Sequence, residues 1–157
     1  MILETERFGK IELEESGIIT FEHGIIGFED LGRFAIIDYL EDSSLKWLQA
    51  IDDPKIAFVV CDPWTFFEDY DPRIEKEEKE DIGLAASDAM TILCIVTVPK
   101  DISKTSLNLL SPIIINQKKM KAKQIILYNS DYRSKHEIFK IIKLKEKIKE
   151  QKAEKTG

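Results

Sequence analysis

Few residues of this sequence are of the types that carry out catalysis or hold metals. Its 157 residues include two cysteines, Cys61 and Cys94, and two histidines, His23 and His136. The cysteines lie inside the apolar runs AFVVCD and TILCIVTV, where a small buried side chain is typical, and no neighbouring ligand supports a disulfide or metal pair. Neither GxSxG, HExxH nor a DxDxDG calcium loop occurs. We therefore expect a binding protein with no catalytic residue, cofactor or metal; a small hydrolase using His23 is the enzymatic rival.

The sequence also has no long hydrophobic run. None approaches the roughly 18 residues of a membrane span. The N-terminus MILETERFGK is charged too early for a signal peptide. Hydrophobic residues make up 43% and charged residues 33% of the chain, a balance that excludes wholesale disorder. We expect one soluble, cytoplasmic protein without membrane contact.

Acidic and basic residues are unevenly distributed along the chain. Residues 1–90 contain 23 Asp and Glu against 8 Lys and Arg, whereas residues 91–157 contain 6 against 15. Such asymmetry predicts surfaces of opposite sign. An acidic surface repels nucleic acid and speeds association with basic proteins.

Short segments of strand type dominate the sequence. KIELEES alternates apolar and acidic residues, and TILCIVTVP is apolar throughout, as a strand buried on both faces would be. Eight strands are predicted, at residues 10–16, 17–21, 33–40, 46–52, 56–62, 91–99, 111–116 and 123–129. Many short strands at close spacing favour a mainly β fold, a small antiparallel barrel or a sandwich.

Two helices are predicted beside these strands. One lies in the acidic loop near residues 72–81, with Asp71 as N-cap, Pro72 as first helical residue and Gly83 as the stop. The other lies after about residue 134 and places Ile138, Ile141, Ile142 and Ile148 near one face. We expect its end, QKAEKTG, to fray. The chain is accordingly divided into a β domain at residues 1–132 and a Lys-rich, partly frayed helical tail at 133–157.

The loop DPWTFFEDYDP concentrates aromatic and acidic residues. It would form either a docking surface rimmed by acids or a lid of rings over one end of the barrel. In the docking interpretation Tyr70 is a contact residue, because tyrosine combines apolar area with a hydroxyl group. The exposed acids Glu68, Asp69 and Asp71 would then set a salt-dependent association rate for a basic partner.

Two amides flank the strand that Pro112 begins. Asn108 precedes it and Asn116 ends it, and Ser111 must be extended because a proline follows. Amide groups at such positions need hydrogen-bonding partners, which either the fold or another chain supplies. We therefore include Asn108, Pro112 and Asn116 among the candidate partner-binding residues.

Two other stretches suggest ligands at first sight. In HGIIGF, Gly24 and Gly27 match neither a Walker loop nor a dinucleotide fingerprint, so we interpret both as turn glycines that allow positive φ. The basic run KKMKAK, residues 118–123, would suit phosphates, but the aromatic residues that stack bases lie in the acidic half of the chain. A small RNA-binding barrel that uses residues 118–123 remains the alternative to a protein-binding domain.

Several segments together resemble a known family. HGIIGF, LQAIDDPKIAFVVCDP, IVTVP, NLLSPIIIN and QIILYNSDY occur in this order, and over residues 1–132 the chain resembles the flagellar assembly factor FliW. The resemblance implies an antiparallel β-barrel-like fold and two protein partners. One is flagellin, held before export. The other is the carbon storage regulator CsrA, which such a protein binds and antagonises once flagellin leaves, so that repression of flagellin synthesis is relieved. The chain departs from the pattern at Ala50, where a serine is expected, and in its Lys-rich tail beyond Tyr132.

Overall fold

The computed structural model describes residues 1–38 and 44–143, most of which belong to one β-barrel and the segments packed against it. Within these residues there is one complete short helix, α1, at Lys76–Asp81. The strands in chain order are β1 Ile2–Thr5, β2 Gly9–Glu12, β3 Ile18–Phe21, β4 Arg33–Asp38, β5 Leu45–Ala50, β6 Ala57–Cys61, β7 Thr91–Thr97, β8 Ser106–Leu107, β9 Ile113–Asn116, β10 Lys121–Gln124 and β11 His136–Glu137. No helix in the described part of the chain is long and apolar enough to cross a membrane.

Seven strands close into a ring. Their order is β7, β6, β5, β4, β3, β10 and β9, and β9 pairs back with β7. All neighbours are antiparallel except β10 and β3, which run parallel where Lys121 pairs with Thr20. Because seven strands cannot alternate in direction around a closed ring, at least one neighbouring pair has to be parallel. The predicted mainly β, antiparallel barrel-like fold is therefore confirmed, with this pair as the exception.

The barrel is covered by apolar residues on both sides of its wall. Inside, Phe34, Leu48 and Leu93 belong to one buried cluster, and outside, Ile92 and Cys94 belong to another. Alternate residues of β7 therefore point into opposite cores, which is why its sequence is apolar throughout. The outer core is completed by the acidic loop and by the segment after β10.

Helix α1 is shorter than predicted. Its N-cap is Glu75, which makes no side-chain capping bond, so the prediction of Asp71 as N-cap and Pro72 as first helical residue is wrong. Asp71 lies in a non-helical segment, and its N–H donates to the Tyr132 hydroxyl at 2.8 Å. Gly83 has φ of 72° directly after the helix, as expected of a glycine that ends one.

The predicted strands and tail also differ from the structure in detail. β1, β8 and β11 were not predicted, and β10 begins and ends earlier than expected, over the four residues that pair with Ile113–Asn116 of β9. Residues 136–137, predicted as helix, form β11 and pair with β8, and helical residues begin at 139. Ile148 and the predicted frayed end QKAEKTG lie outside the described residues.

Candidate functional site

The acidic segment between β6 and β7 is fixed to the outside of the barrel. The Asn116 side-chain amide donates to the Ile82 carbonyl at 2.8 Å, just beyond the end of α1. The Lys123 ammonium lies 2.6 Å from Glu78 and 2.7 Å from Asp81. Its hydrogen bond to Asp81 lowers the pKa of that carboxyl group. Residues 68–81 contain eight acids and three bases, so these anchors hold a strongly negative segment in place.

Tyr70 lies beneath this segment, not on its surface. The side chain is 5% exposed, and its hydroxyl group donates to the Leu109 carbonyl at 2.7 Å. Its ring packs edge-on against Tyr132 at a centroid distance of 4.7 Å. Burial raises the pKa of the Tyr70 hydroxyl, which therefore stays protonated. Its hydroxyl group thus already has a partner within the fold, and direct contact of Tyr70 with another protein stays a prediction.

The amides around Pro112 are bonded inside the fold as well. Asn116 is 1% exposed, and its Oδ1 accepts from the Lys118 and Lys119 N–H groups at 3.2 Å each. Asn108 is half-buried, and its Oδ1 accepts from the Ser111 N–H at 3.0 Å. The sequence left open whether the fold or another chain supplies hydrogen-bonding partners for these amides, and the fold supplies partners to both. Pro112 is buried and its carbonyl accepts from the Ile125 N–H at 3.0 Å, so these three residues shape the surface from beneath.

Glu68 and Asp69 are exposed, and they line a groove of about 490 Å³. This aromatic groove is formed by residues 65–70, Leu109, Tyr132, His136 and Ile141. The Phe67 ring packs edge-on against the His136 ring at 5.7 Å. Tyr132 and His136 were not predicted as site residues, because they lie far along the chain from the loop and only the fold brings them to it.

Asp71 lies in a second groove, of about 610 Å³, apart from Glu68 and Asp69. This edge groove is lined by Ile26, Asp71, Arg73, Glu75, Glu78 and residues 123–130. Exposed apolar side chains line it, with Ile26 52%, Ile126 37% and Tyr128 81% exposed. No single stretch of the sequence predicts this groove, because its walls come from three separate parts of the chain.

The turn that carries Ile26 depends on its glycines. Gly24 has φ of 64° and Gly27 has φ of 88°, a region that side chains with a Cβ rarely adopt. A Cβ on Gly24 would also lie 2.6 Å from the Phe28 carbonyl oxygen. The turn is joined to β10, since the Ile26 N–H donates to Gln124 Oε1 at 2.9 Å. The glycines thus bring an exposed isoleucine to the wall of the edge groove.

The two cysteines and two histidines lie in different surroundings. Cys61 and Cys94 face each other across β6 and β7, and burial raises the pKa of each thiol to about 12. His136 Nε2 accepts from the Arg133 N–H at 2.8 Å, and His23 is exposed. The described residues include no group of three or more histidines, cysteines and carboxylates able to hold a metal ion.

The basic run 118–123 lies beside the acidic helix. Lys118, Lys119 and Lys121 are exposed around the turn between β9 and β10. Lys123 is held by the two carboxylates of α1, and the Lys119 side chain packs against Gly83. The acids of α1 therefore offset much of the positive potential that a phosphate backbone would need.

Comparison with known proteins agrees with this architecture. Residues 2–138 match the family model described as FliW protein. The flagellar assembly factor FliW of Lachnospira eligens is 41% identical over 150 residues, covering 93% of this chain and 99% of that protein. The FliW of Thermoanaerobacter pseudethanolicus is 45% identical over 144 residues, covering 91% and 96%.

A solved structure shows the same fold. The crystal structure of the flagellar assembly factor FliW superposes with a TM-score of 0.82 at 32% identity, covering 88% of this chain and 97% of that one. The resemblance of five sequence segments to FliW is therefore matched by a resemblance of the whole fold. The chain belongs to the FliW family of flagellar assembly factors.

Proposed function

We propose that this protein is a cytoplasmic, non-enzymatic binding protein with two alternative partners. It holds flagellin before export, and once flagellin leaves it binds and antagonises the translational regulator CsrA, so that flagellin synthesis resumes. Membership of a family of flagellar assembly factors supports a role in flagellum biogenesis. The two named partners rest on the resemblance to that family and on the surface chemistry of this chain.

The observation that carries the proposal is the acidic segment fixed beside the aromatic groove. Glu68 and Asp69 stand exposed at a groove that contains aromatic rings, and α1 adds further acids nearby. An RNA-binding regulator has a basic surface, which such a rim attracts. The rings of Phe66 and Phe67 are half-buried and offer apolar contact once a partner has arrived.

The remaining candidate residues act by positioning this surface. Tyr70 supports the loop from beneath through its bond to Leu109. Asn116 fixes the end of α1, while Asn108 and Pro112 shape the chain that forms the groove floor. Asp71 extends the acidic rim towards the edge groove. Of the residues predicted from the sequence, only Glu68, Asp69 and Asp71 meet a partner directly in this proposal, and they chiefly raise the association rate.

Binding kinetics with flagellin and with CsrA separately test the proposal. The variant Glu68→Lys/Asp69→Lys should associate with CsrA about tenfold more slowly at low salt, with the difference disappearing at high salt. The matched control Glu14→Lys/Glu15→Lys makes the same charge change at exposed acids on the distant β2–β3 connection and should bind like the unmodified protein. Unmodified protein that binds neither flagellin nor CsrA would overturn the proposal.

An order-of-addition experiment tests the switch between partners. Protein loaded with flagellin should fail to release RNA from CsrA, and removal of flagellin should restore that release. An RNA gel shift with this protein alone addresses the alternative function at residues 118–123. Tight, salt-sensitive binding of RNA by the protein itself would favour the RNA-binding barrel.

A further inference from the structure

The edge groove contains an open strand edge. β10 is flanked by β9 on one side and by β3 on the other, but its pairing with β3 ends at Ala122. The chain beyond β10 stays bonded on the first side only, where the Ile125 N–H donates to Pro112 and the Leu127 N–H donates to Leu110 at 2.9 Å. The Ile126 N–H lies between these two and faces the opposite way. Among the described residues it has no hydrogen-bond acceptor, whereas the Ile126 carbonyl accepts from the Tyr128 N–H at 3.1 Å, so the N–H is the group left for an incoming chain.

The walls of this groove are held in place by side-chain bonds. Gln124 Oε1 accepts from the Ile26 N–H at 2.9 Å, and Gln124 Nε2 donates to the Ser111 carbonyl at 3.1 Å. The turn that carries Ile26 is thereby linked to β10 and to the segment before β9. A groove whose walls are fixed in this way costs little conformational entropy when a ligand enters.

Charge and apolar side chains together describe the ligand. Ile26, Ile126 and Tyr128 expose apolar surface inside the groove. Its lining holds three carboxylates, Asp71, Glu75 and Glu78, against the two cations Arg73 and Lys123. Arg73 lies 3.6 Å from Asp71 and Lys123 lies against two acids of α1, so Glu75 is the exposed carboxylate at the rim with no ion pair among the described residues. A complementary segment therefore presents apolar side chains to the floor and basic side chains to the rim.

We propose that the edge groove binds a short, extended segment of a protein partner that carries alternate apolar and basic side chains, which adds as a strand at Ile126. In this mode main-chain hydrogen bonds provide affinity, and pockets for alternate side chains provide specificity. Alternation suits an extended chain, because successive side chains point to opposite sides. The inference rests on the proposed function in that the segment belongs to a protein partner.

A synthetic peptide that alternates valine and lysine tests the proposal. The full chain should bind it, and should not bind a peptide that alternates valine and glutamate. Ile126→Pro removes the unbonded N–H at a position where no internal bond is lost, and should weaken binding about tenfold or more. Ile126→Ala keeps the N–H and should weaken binding less. Equal binding of the lysine peptide by Ile126→Pro and unmodified protein would overturn strand addition.

Amide hydrogen exchange provides a measurement that needs no substitution. The Ile126 amide should exchange fast in the free protein and at least about tenfold more slowly when the lysine peptide is bound. If Ile126→Pro melts at a much lower temperature than the unmodified protein, its binding data are set aside and amide exchange in the unmodified protein is the test. Exchange at Ile126 that does not slow when the peptide binds counts against the proposal. Binding of flagellin and CsrA by Ile126→Pro is measured in parallel. If the unmodified protein fails to bind the lysine peptide while flagellin and CsrA still bind normally to both proteins, this inference is refuted and the proposed function stands.

Discussion

At the scale of single residues, Tyr70 shows how a residue can matter for binding without touching a partner. Its hydroxyl group is bonded to Leu109 and its ring is packed against Tyr132. Tyr70→Phe leaves the Leu109 carbonyl without a donor, and we expect it to lower the free energy of unfolding by about 1–2 kcal/mol. Tyr70→Ala also leaves a cavity and should cost about 3–5 kcal/mol. Urea unfolding measures both values.

A binding assay on the same variants separates support from contact. Tyr70→Phe should keep nearly unchanged affinity for flagellin and CsrA while it loses stability. A Tyr70→Ala variant that unfolds like the unmodified protein but no longer binds would show that the side chain meets the partner directly.

Gly24 and Gly27 form a matched pair of residues for a second prediction. Both have positive φ, but a Cβ would collide with the backbone at Gly24 and would meet open space at Gly27. Gly27→Ala should therefore cost only the conformational strain, about 1–2 kcal/mol. Gly24→Ala should cost distinctly more, about 3 kcal/mol or above, because the turn has to move. Thermal unfolding of the two variants tests this order, and equal midpoints would contradict it.

At the scale of elements, the attachment of β11 depends on a neutral histidine. His136 Nε2 accepts from the Arg133 N–H, and burial together with the Arg133 charge lowers the pKa of His136 below 6.5. The unfolded chain therefore takes up a proton at higher pH than the folded chain. Stability is complete above pH 6.5 and falls as the pH drops below that value towards the lower pKa of the folded protein.

The pH dependence can be isolated with one variant. His136→Gln offers an oxygen acceptor near the position of Nε2 but does not titrate, so it should lose this part of the dependence. Amide exchange of Arg133 and Ile138, followed from about pH 7.5 to about pH 5, reports on β11 directly. Identical acid sensitivity in both proteins would show that other groups are responsible.

The elements that were predicted well are those whose side chains decide their structure. β7 is apolar along its length because it separates two cores, and Gly83 ends α1 because it takes positive φ. β11 has no such pattern. It forms because Glu137 and His136 meet β8 through backbone bonds, which local sequence does not record. The start of α1 was misplaced because Asp71 and Pro72 have the local pattern of a helix start, whereas the helix begins only after Glu75.

Residues of the candidate site, too, are predictable only where the neighbouring sequence determines their surroundings. Glu68 and Asp69 were found because exposed acids in a loop remain exposed in the fold. Tyr70 and Asn116 were named as candidate partner contacts; both are buried, because a polar side chain of suitable shape can satisfy distant backbone groups. The edge groove as a whole was not predicted, since its walls come from three parts of the chain that only the fold brings together.

At the scale of the whole molecule, the barrel brings the acidic and basic parts of the chain together. The acids of α1 face Lys123 of β10, so the charge asymmetry of the sequence becomes partly an internal attraction. Lys123 and Glu78 are partly buried in these pairs, with side-chain exposures of 22% and 32%, and the arrangement sets which acids remain without a cation. Negative potential remains greatest beyond Lys123, along the exposed acids of residues 68–77.

The parallel pairing of β3 with β10 also governs when the protein becomes functional during its synthesis. The ribosome makes β3 early. Its parallel partner β10, which is needed to close the ring, is made only near the end of the described chain. A growing chain that stops before Gln124 has an unclosed sheet, with unpaired edges that favour aggregation. It also lacks the floor of the edge groove. Closure of the ring therefore waits for β10, and both grooves wait for the residues that follow it, 125–130 at the edge groove and Tyr132 and His136 at the aromatic groove.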